Sequence, residues 1–297
     1  MNNFYALSIL QESPLLFAII ASIFGLLVGS FLNVVIYRLP VMIENEWKEN
    51  CAELNDENYQ PSGKIFNLAV PRSRCQQCQS LITAWQNIPV ISYLLLRGKC
   101  PNCQTNISIQ YPIVELLTAI TTFVVAYHYG YSIQSIAGII LTWSLISLMF
   151  IDLNTFYLPD NITLPFMWLG LILSLFNVFT DSQSSIIGAC AGYLSLWSVY
   201  QLFKLLTKKE GMGYGDFKLL AMLGAWIGWQ YLILIIILSS FVGAIFGISM
   251  MIIKNNNRNT PIPFGPYLAV AGWIALLWGN DIIQLYTDWA MPNRHFQ

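Results

Sequence analysis

Two aspartates stand where a long apolar segment meets a polar one. Asp152 follows an apolar run in LMFIDLNTFYLPD, and Asp216 precedes another in GMGYGDFK. A carboxylate in or beside a membrane helix is costly, and is therefore a functional candidate. Two facing carboxyl groups share one proton, because like charges a few ångströms apart cannot both ionise cheaply. One acid then activates water while the other polarises a peptide carbonyl, which is aspartic protease chemistry. The alternative is that both are solvated helix ends.

The loop before Asp216 is rich in glycine. Gly213 and Gly215 have no side chain, so they would let a peptide backbone approach beside Asp216. The spacing differs from the GxGxxG pattern of dinucleotide sites, and a helix instead of a strand is predicted before it. A third acid, Asp160, directly precedes an apolar segment, and its position predicts a helix N-cap.

Four cysteines form two CxxC pairs, CQQC at Cys75 and Cys78 and CPNC at Cys100 and Cys103. The 21 residues between the pairs give zinc-ribbon spacing, and four thiolates complete a tetrahedral shell with no open position for catalysis. We therefore predict a structural metal site. Two disulfides are the alternative, which the predicted cytosolic location disfavours. A redox role lacks the surrounding strand–helix pattern of thioredoxins.

The composition places these residues in a membrane protein. Of 297 residues, 56% are hydrophobic and 10% are charged, and the mean hydropathy is +0.57, whereas soluble domains carry about 25% charged residues. A net charge of -1 gives no general attraction to nucleic acid. We predict an all-α polytopic fold whose first span is a retained anchor. Its eight predicted helices are 15–38, 111–128, 134–151, 161–179, 184–206, 215–229, 231–253 and 264–286.

Basic residues predict the orientation of these helices. With the amino terminus outside, 13 of the 14 Lys and Arg residues lie on the cytoplasmic side, and only Arg294 lies outside. The positive-inside rule favours this arrangement. It brings Asp152 and Asp216 to one depth at the cytoplasmic face. The predicted regions are a first span at 1–38, a cytoplasmic loop with the paired cysteines at 39–110, and a seven-helix protease domain at 111–290.

Six motifs, in their order along the chain, resemble those of one known family. The chain is similar to prepilin peptidases, the bifunctional leader peptidases and N-methyltransferases of type IV pilus and type II secretion systems. The GxGD pattern alone would be weak evidence for this family, since other intramembrane aspartic proteases share it. The resemblance covers nearly the whole chain, through GSFLNVVIYRLP, the two CxxC pairs, YPIVELLTA, DLNTFYLPD, GMGYGDFKLLAMLGAW and IPFGPYLA.

The resemblance implies the roles of several residues. Asp152 and Asp216 would be the catalytic aspartates, and the four cysteines would bind structural zinc. The substrate would be a type IV prepilin or pseudopilin at the bacterial inner membrane, with its apolar helix in the bilayer. Its basic leader would be cut off at the cytoplasmic face, after the leader's last glycine. The new amino terminus, usually a phenylalanine, would then be methylated from S-adenosylmethionine. Arg38 and Glu115 lie inside matched motifs and are candidates for the methyltransferase site or the substrate groove.

Two other functions stay open at this point. One is a GxGD protease of membrane segments that lacks methyl transfer, against which the cysteine loop argues. The other is a non-enzymatic assembly or transport protein whose zinc loop docks partners. Two acids at one membrane depth argue against that function.

Overall fold

The computed structural model describes residues 11–55, 66–254 and 262–290. Eight long helices and no extended strand occur in these ranges, which confirms the predicted all-α fold. Six of the helices are long and apolar enough to cross a membrane, whereas α4 and α6 have 15 and 14 residues. The helices are α1 Pro14–Asn55, α2 Gln110–Tyr129, α3 Ile133–Thr155, α4 Asp160–Ser174, α5 Ser182–Thr207, α6 Tyr214–Ile227, α7 Leu232–Lys254 and α8 Gly265–Ala290.

Helix α1 extends well past the end predicted for it at residue 38. It continues through Pro40 to Asn55, a length of 42 residues, or ~63 Å at 1.5 Å per residue. That is about twice the ~30 Å hydrocarbon core of a bilayer. Charged pairs at helical spacing support the extension, as between Lys48 and Glu44 at 2.6 Å. The helix end predicted at residue 38 was therefore wrong by 17 residues, and residues 56–65 of the predicted loop lie outside the described ranges.

The chain forms two compact units that divide inside α3, after Ser147. In the first unit, α1 and α2 pack closely because small residues of α1 face α2. The Ser22 hydroxyl donates to the Ala119 carbonyl at 3.0 Å. A Cβ added to Gly29 would lie 2.8 Å from the Glu115 Cα. Small residues at such contacts let membrane helices approach at backbone distance.

Helix α6 is the core of the second unit. From Asp216 to Ile227, every residue except Lys218 is buried. A Cβ on Gly188 of α5 or on Gly224 of α6 would collide with the backbone of the other helix. The Trp226 indole N–H also donates to the Phe166 carbonyl of α4 at 2.7 Å. Since protein surrounds α6, it needs neither the length nor the lipid-facing surface of a full span.

Candidate active site

Asp152 and Asp216 lie in one cavity of the second unit. Asp152 is in the last turn of α3, and Asp216 is in the first turn of α6. The two residues are 5% and 7% exposed. The cavity has a volume of about 190 Å³ and is lined by Asp152, Phe156, Tyr157, Leu158, Asp160, Gly213, Tyr214, Gly215, Asp216 and Lys218. The geometry thus brings together two acids that are 64 residues apart in the sequence.

A backbone donor holds Asp152. The N–H of Gly265, the first residue of α8, donates to Asp152 Oδ2 at 3.0 Å. A Cβ on Gly265 would lie 2.7 Å from the same oxygen, so glycine leaves the room that this contact needs. The free N–H groups at a helix start also favour negative charge. The motif IPFGPYLA is recognisable in the sequence, but this contact is not, because nothing local links Gly265 to Asp152.

The two loop glycines differ in their surroundings. Among the described residues, a Cβ on Gly213 would have one neighbour within 4 Å, Asp216 Oδ2 at 3.8 Å. A Cβ on Gly215 would lie 2.7 Å from the Leu158 Cβ. The prediction that both glycines leave room for a substrate backbone therefore suits Gly213, whereas the space beside Gly215 is filled by the protein itself.

Asp160 is an ion-pair partner and not the predicted N-cap. The N-cap of α4 is Pro159, and Asp160 is the first residue of the helix. Both of its carboxylate oxygens accept from Lys218 Nζ at 2.7 Å. The pair ties the start of α4 to the first turn of α6, two residues after Asp216. Lys218 was missed as a site residue, although a lysine within an apolar helix is itself a signal.

The four predicted cysteines lie together in the first unit, between α1 and α2 in the sequence. Their Sγ atoms all lie within 4.8 Å of one another, with Cys75 to Cys103 at 3.7 Å and Cys78 to Cys100 at 4.0 Å. Tetrahedral zinc with Zn–S bonds of 2.3 Å requires sulfur atoms ~3.8 Å apart. A disulfide would require ~2.05 Å, and all four cysteines are free. The donor set therefore fits a tetrahedral metal ion.

The two CxxC segments fold into matching knuckles. In each knuckle, the N–H four residues after the first cysteine donates to that cysteine's carbonyl: Gln79 donates to Cys75 and Gln104 donates to Cys100, both at 2.9 Å. Isolated β-bridges close the knuckles from Arg74 to Leu81 and from Lys99 to Asn106. Hydrogen bonds with the side chain and backbone of Ser80 lower the pKa of the Cys78 thiol to about 6, which favours the thiolate that a metal binds.

The comparisons with known proteins cover both units. Residues 23–129 match the bacterial peptidase A24 N-terminal domain, and residues 139–248 match the type IV leader peptidase family. A prepilin leader peptidase/N-methyltransferase of Stutzerimonas stutzeri is 53% identical over 95% of this chain and 97% of its own length. The chain belongs to the type IV leader peptidase family. Members with the same description from Pseudomonas aeruginosa and Neisseria gonorrhoeae are 52% and 51% identical, over 96% and 91% of this chain and 98% and 93% of theirs. No solved structure matches the chain.

The family's two domains divide the candidate residues between them. The N-terminal domain contains the four cysteines, and the leader peptidase domain contains Asp152 and Asp216. A24 leader peptidases are aspartic peptidases, so the acid pair lies in the domain that bears this chemistry. The membrane helices agree with a multi-pass membrane enzyme.

Arg38 and Glu115 lie in the N-terminal domain, where each contacts the segment that carries the cysteines. Arg38 is buried in α1, and its guanidinium donates to the carbonyls of Asn67, Leu68 and Pro71 at 3.0, 3.3 and 2.6 Å. Glu115 is buried in α2 and accepts from the Val90 N–H at 2.7 Å. These bonds hold chain segments on both sides of the first CxxC pair against α1 and α2.

Proposed function

We propose that this chain cuts the leader from type IV prepilins or pseudopilins with Asp152 and Asp216, and then methylates the new amino terminus. The observation that carries the proposal is the pair of buried carboxyl groups in one cavity, in a chain about half identical to relatives that are described as having both activities. The substrate class and the second activity come from the names of those relatives.

The surroundings of the two acids suggest their roles in peptide cleavage. The Gly265 N–H donates to Asp152, and such a bond favours the ionised form of a carboxyl group. Asp152 would therefore be the base that takes a proton from water, while protonated Asp216 donates its proton to the carbonyl oxygen. The water oxygen bonds to the carbonyl carbon. The C–N bond then breaks and the leaving amine takes up the proton that Asp152 holds. As the carbonyl group re-forms, a hydroxyl of the intermediate returns its proton to Asp216.

The open space at Gly213 would admit the substrate backbone beside Asp216. An extended peptide there would meet no side chain from Gly213 itself and would lie beside the Asp216 carboxyl group. Burial of both acids limits the access of bulk water, which strengthens every electrostatic contact in the cavity.

The remaining parts of the proposal concern placement and cofactors. By the distribution of basic residues, the amino terminus is periplasmic and the two acids lie at the cytoplasmic face of the bacterial inner membrane. Cys75, Cys78, Cys100 and Cys103 would hold one structural zinc ion, which would lend folding energy to a small module. S-adenosylmethionine would supply the methyl group.

The test uses purified protein in lipid nanodiscs, a full-length type IV prepilin and methyl-labelled S-adenosylmethionine. Wild type should remove the leader and label the product. Asp152→Asn and Asp216→Asn should each lower cleavage by about 10²–10⁴-fold, the range for loss of a general acid or base. Their double variant should be little worse than either, because the two acids act as a unit. Asp281→Asn changes an exposed acid of α8 and should cleave normally.

A second substrate separates the two activities. Given a pilin from which the leader has already been removed, the two Asn variants should still transfer the label. Wild-type protein that leaves the prepilin intact would refute the protease assignment. Cleavage without labelling of either substrate would leave a leader peptidase that has no methyltransferase activity.

A further inference from the structure

A second cavity lies in the same unit, between α5, α7 and the start of α8. Its volume is about 400 Å³, within the range of small-molecule sites. Among the described residues that line it, the hydroxyls of Ser240 and Tyr267 are the polar side-chain groups, and none of these residues is charged. The cavity is lined by Leu196, Val199, Met212, Ile236, Ser240, Gly243, Ala244, Ile262, Phe264 and Tyr267.

This cavity adjoins the two acids at two separate points of the chain. Met212 lines it, and the next residue, Gly213, lines the cavity of the acids. Phe264 also lines it, and the next residue, Gly265, donates its N–H to Asp152. Adjacent residues therefore serve the second cavity and the site of the acids, at the glycine-rich loop and again at the start of α8.

The chemistry of the lining indicates what it would bind. A peptide cut between the two acids must continue in both directions from them. A polar or basic segment would lose its hydration in this apolar cavity without gaining a partner, which is costly. A large apolar side chain would leave water for an apolar surface, which is favourable.

We propose that the second cavity is the subsite for the first apolar turn of the substrate, the residues that directly follow the cut bond. The proposal rests on the proposed function and adds to it a place for the part of the substrate that enters the membrane. Side chains three and four residues apart share one helix face, so two apolar side chains of that turn can enter together. A lipid acyl chain is the competing occupant.

Photocrosslinking tests the occupant independently of cleavage. A benzophenone amino acid is placed at Ser240 in the Asp216→Asn protein, which would hold the prepilin uncut, and in parallel at Ser249. The two positions are nine residues apart on α7. At 3.6 residues per turn this is about two and a half turns, so they lie on opposite faces of the helix. Crosslinks from position 240 should map to the first five residues after the cut site, and those from position 249 should not. Crosslinks from position 240 to lipid alone would overturn the proposal.

Filling the cavity tests its contribution to binding. Ser240→Phe should raise the KM for the prepilin by about tenfold, the scale at which hydrophobic pockets discriminate. It should change kcat by less than about threefold, because a contact made equally in the ground and transition states affects KM. Ser249→Phe is the matched control and should behave as wild type. A wild-type KM in Ser240→Phe would refute the subsite, whereas an inactive wild-type enzyme would refute the proposed function instead.

Discussion

The ion pair between Asp160 and Lys218 should stabilise the candidate site without taking part in the chemistry. Its side chains are 43% and 28% exposed. A fully exposed pair contributes about 0.2–1 kcal/mol, whereas a hydrogen bond to a charged group contributes about 1.5–3 kcal/mol. Since solvent reaches both side chains, we expect a coupling free energy near 1 kcal/mol. That changes the ratio of folded to unfolded protein about fivefold.

A double-mutant cycle measures this coupling. Asp160→Asn, Lys218→Met and the double variant are unfolded in mixed detergent, and the coupling is the departure of their free energies from additivity. Cleavage by Asp160→Asn should stay within about tenfold of wild type, because the start of α6 becomes less well held while Asp152 and Asp216, the proposed catalytic acids, remain. Increasing the salt concentration should reduce the coupling, since partly exposed pairs are screened.

Two results would refute this reasoning. A coupling below about 0.3 kcal/mol lies within the usual error of additivity and would mean that the pair contributes nothing. A folded Asp160→Asn protein as inactive as Asp216→Asn would place Asp160 in the chemistry. Asp281→Asn controls for the loss of one negative charge at an exposed position of α8.

Two further predictions concern the glycines and the metal. Gly213→Ala should fold, at a cost of up to about 1 kcal/mol in stability, but should cleave poorly. Gly215→Ala should lower the free energy of unfolding by about 1–3 kcal/mol, because the new methyl group overpacks against Leu158. Adding Leu158→Ala to that variant should restore stability. Thermal unfolding and cleavage of the same samples check this, and wild-type cleavage by Gly213→Ala would contradict it. The protein should carry about one zinc ion, and a Cys75→Ser/Cys78→Ser variant should lose it. In that variant, the segment 66–109 should become protease-sensitive, and methyl transfer should fall more than cleavage. Elemental analysis beside both assays checks this, with Cys190→Ser as the control, and zinc-free wild-type protein would refute it.

The eight helices were predictable because long uncharged runs in the sequence correspond to helices, and two of these runs, 116–151 and 219–253, are each shared by two helices. The predicted and observed helices agree in number and order, and most of their ends agree within a few residues. The largest error in a helix end is at α1, which continues through the polar, charge-rich segment 41–55. Hydropathy marks where a helix leaves the lipid and carries no information on where the helix itself ends. A proline at position 40 strengthened the expectation of an end there.

The candidate site was predictable where its residues are unusual for their surroundings. Acids beside apolar helices and paired CxxC segments stand out in any membrane sequence. Gly265 and Lys218 were missed because their roles depend on contacts over 113 and 58 residues of sequence. Leu158 was missed for a similar reason, since a leucine is ordinary in this composition. Its contact with Gly215 comes from the packing of the loop after α3 against the start of α6.

The short length of α6 has a consequence for the depth of Asp216. Fourteen residues rise ~21 Å, about 9 Å less than the hydrocarbon core of a bilayer. If Ile227 lies near one face of the membrane, then Asp216 is recessed below the other. A lipid-facing carboxylate at that depth would be costly, but α6 is buried along its length and Asp216 faces a cavity within the protein. Burial of the whole helix therefore permits an acid below the membrane surface. A bond at the start of a substrate's apolar segment could reach it there, because the apolar residues that follow the bond need not leave the membrane.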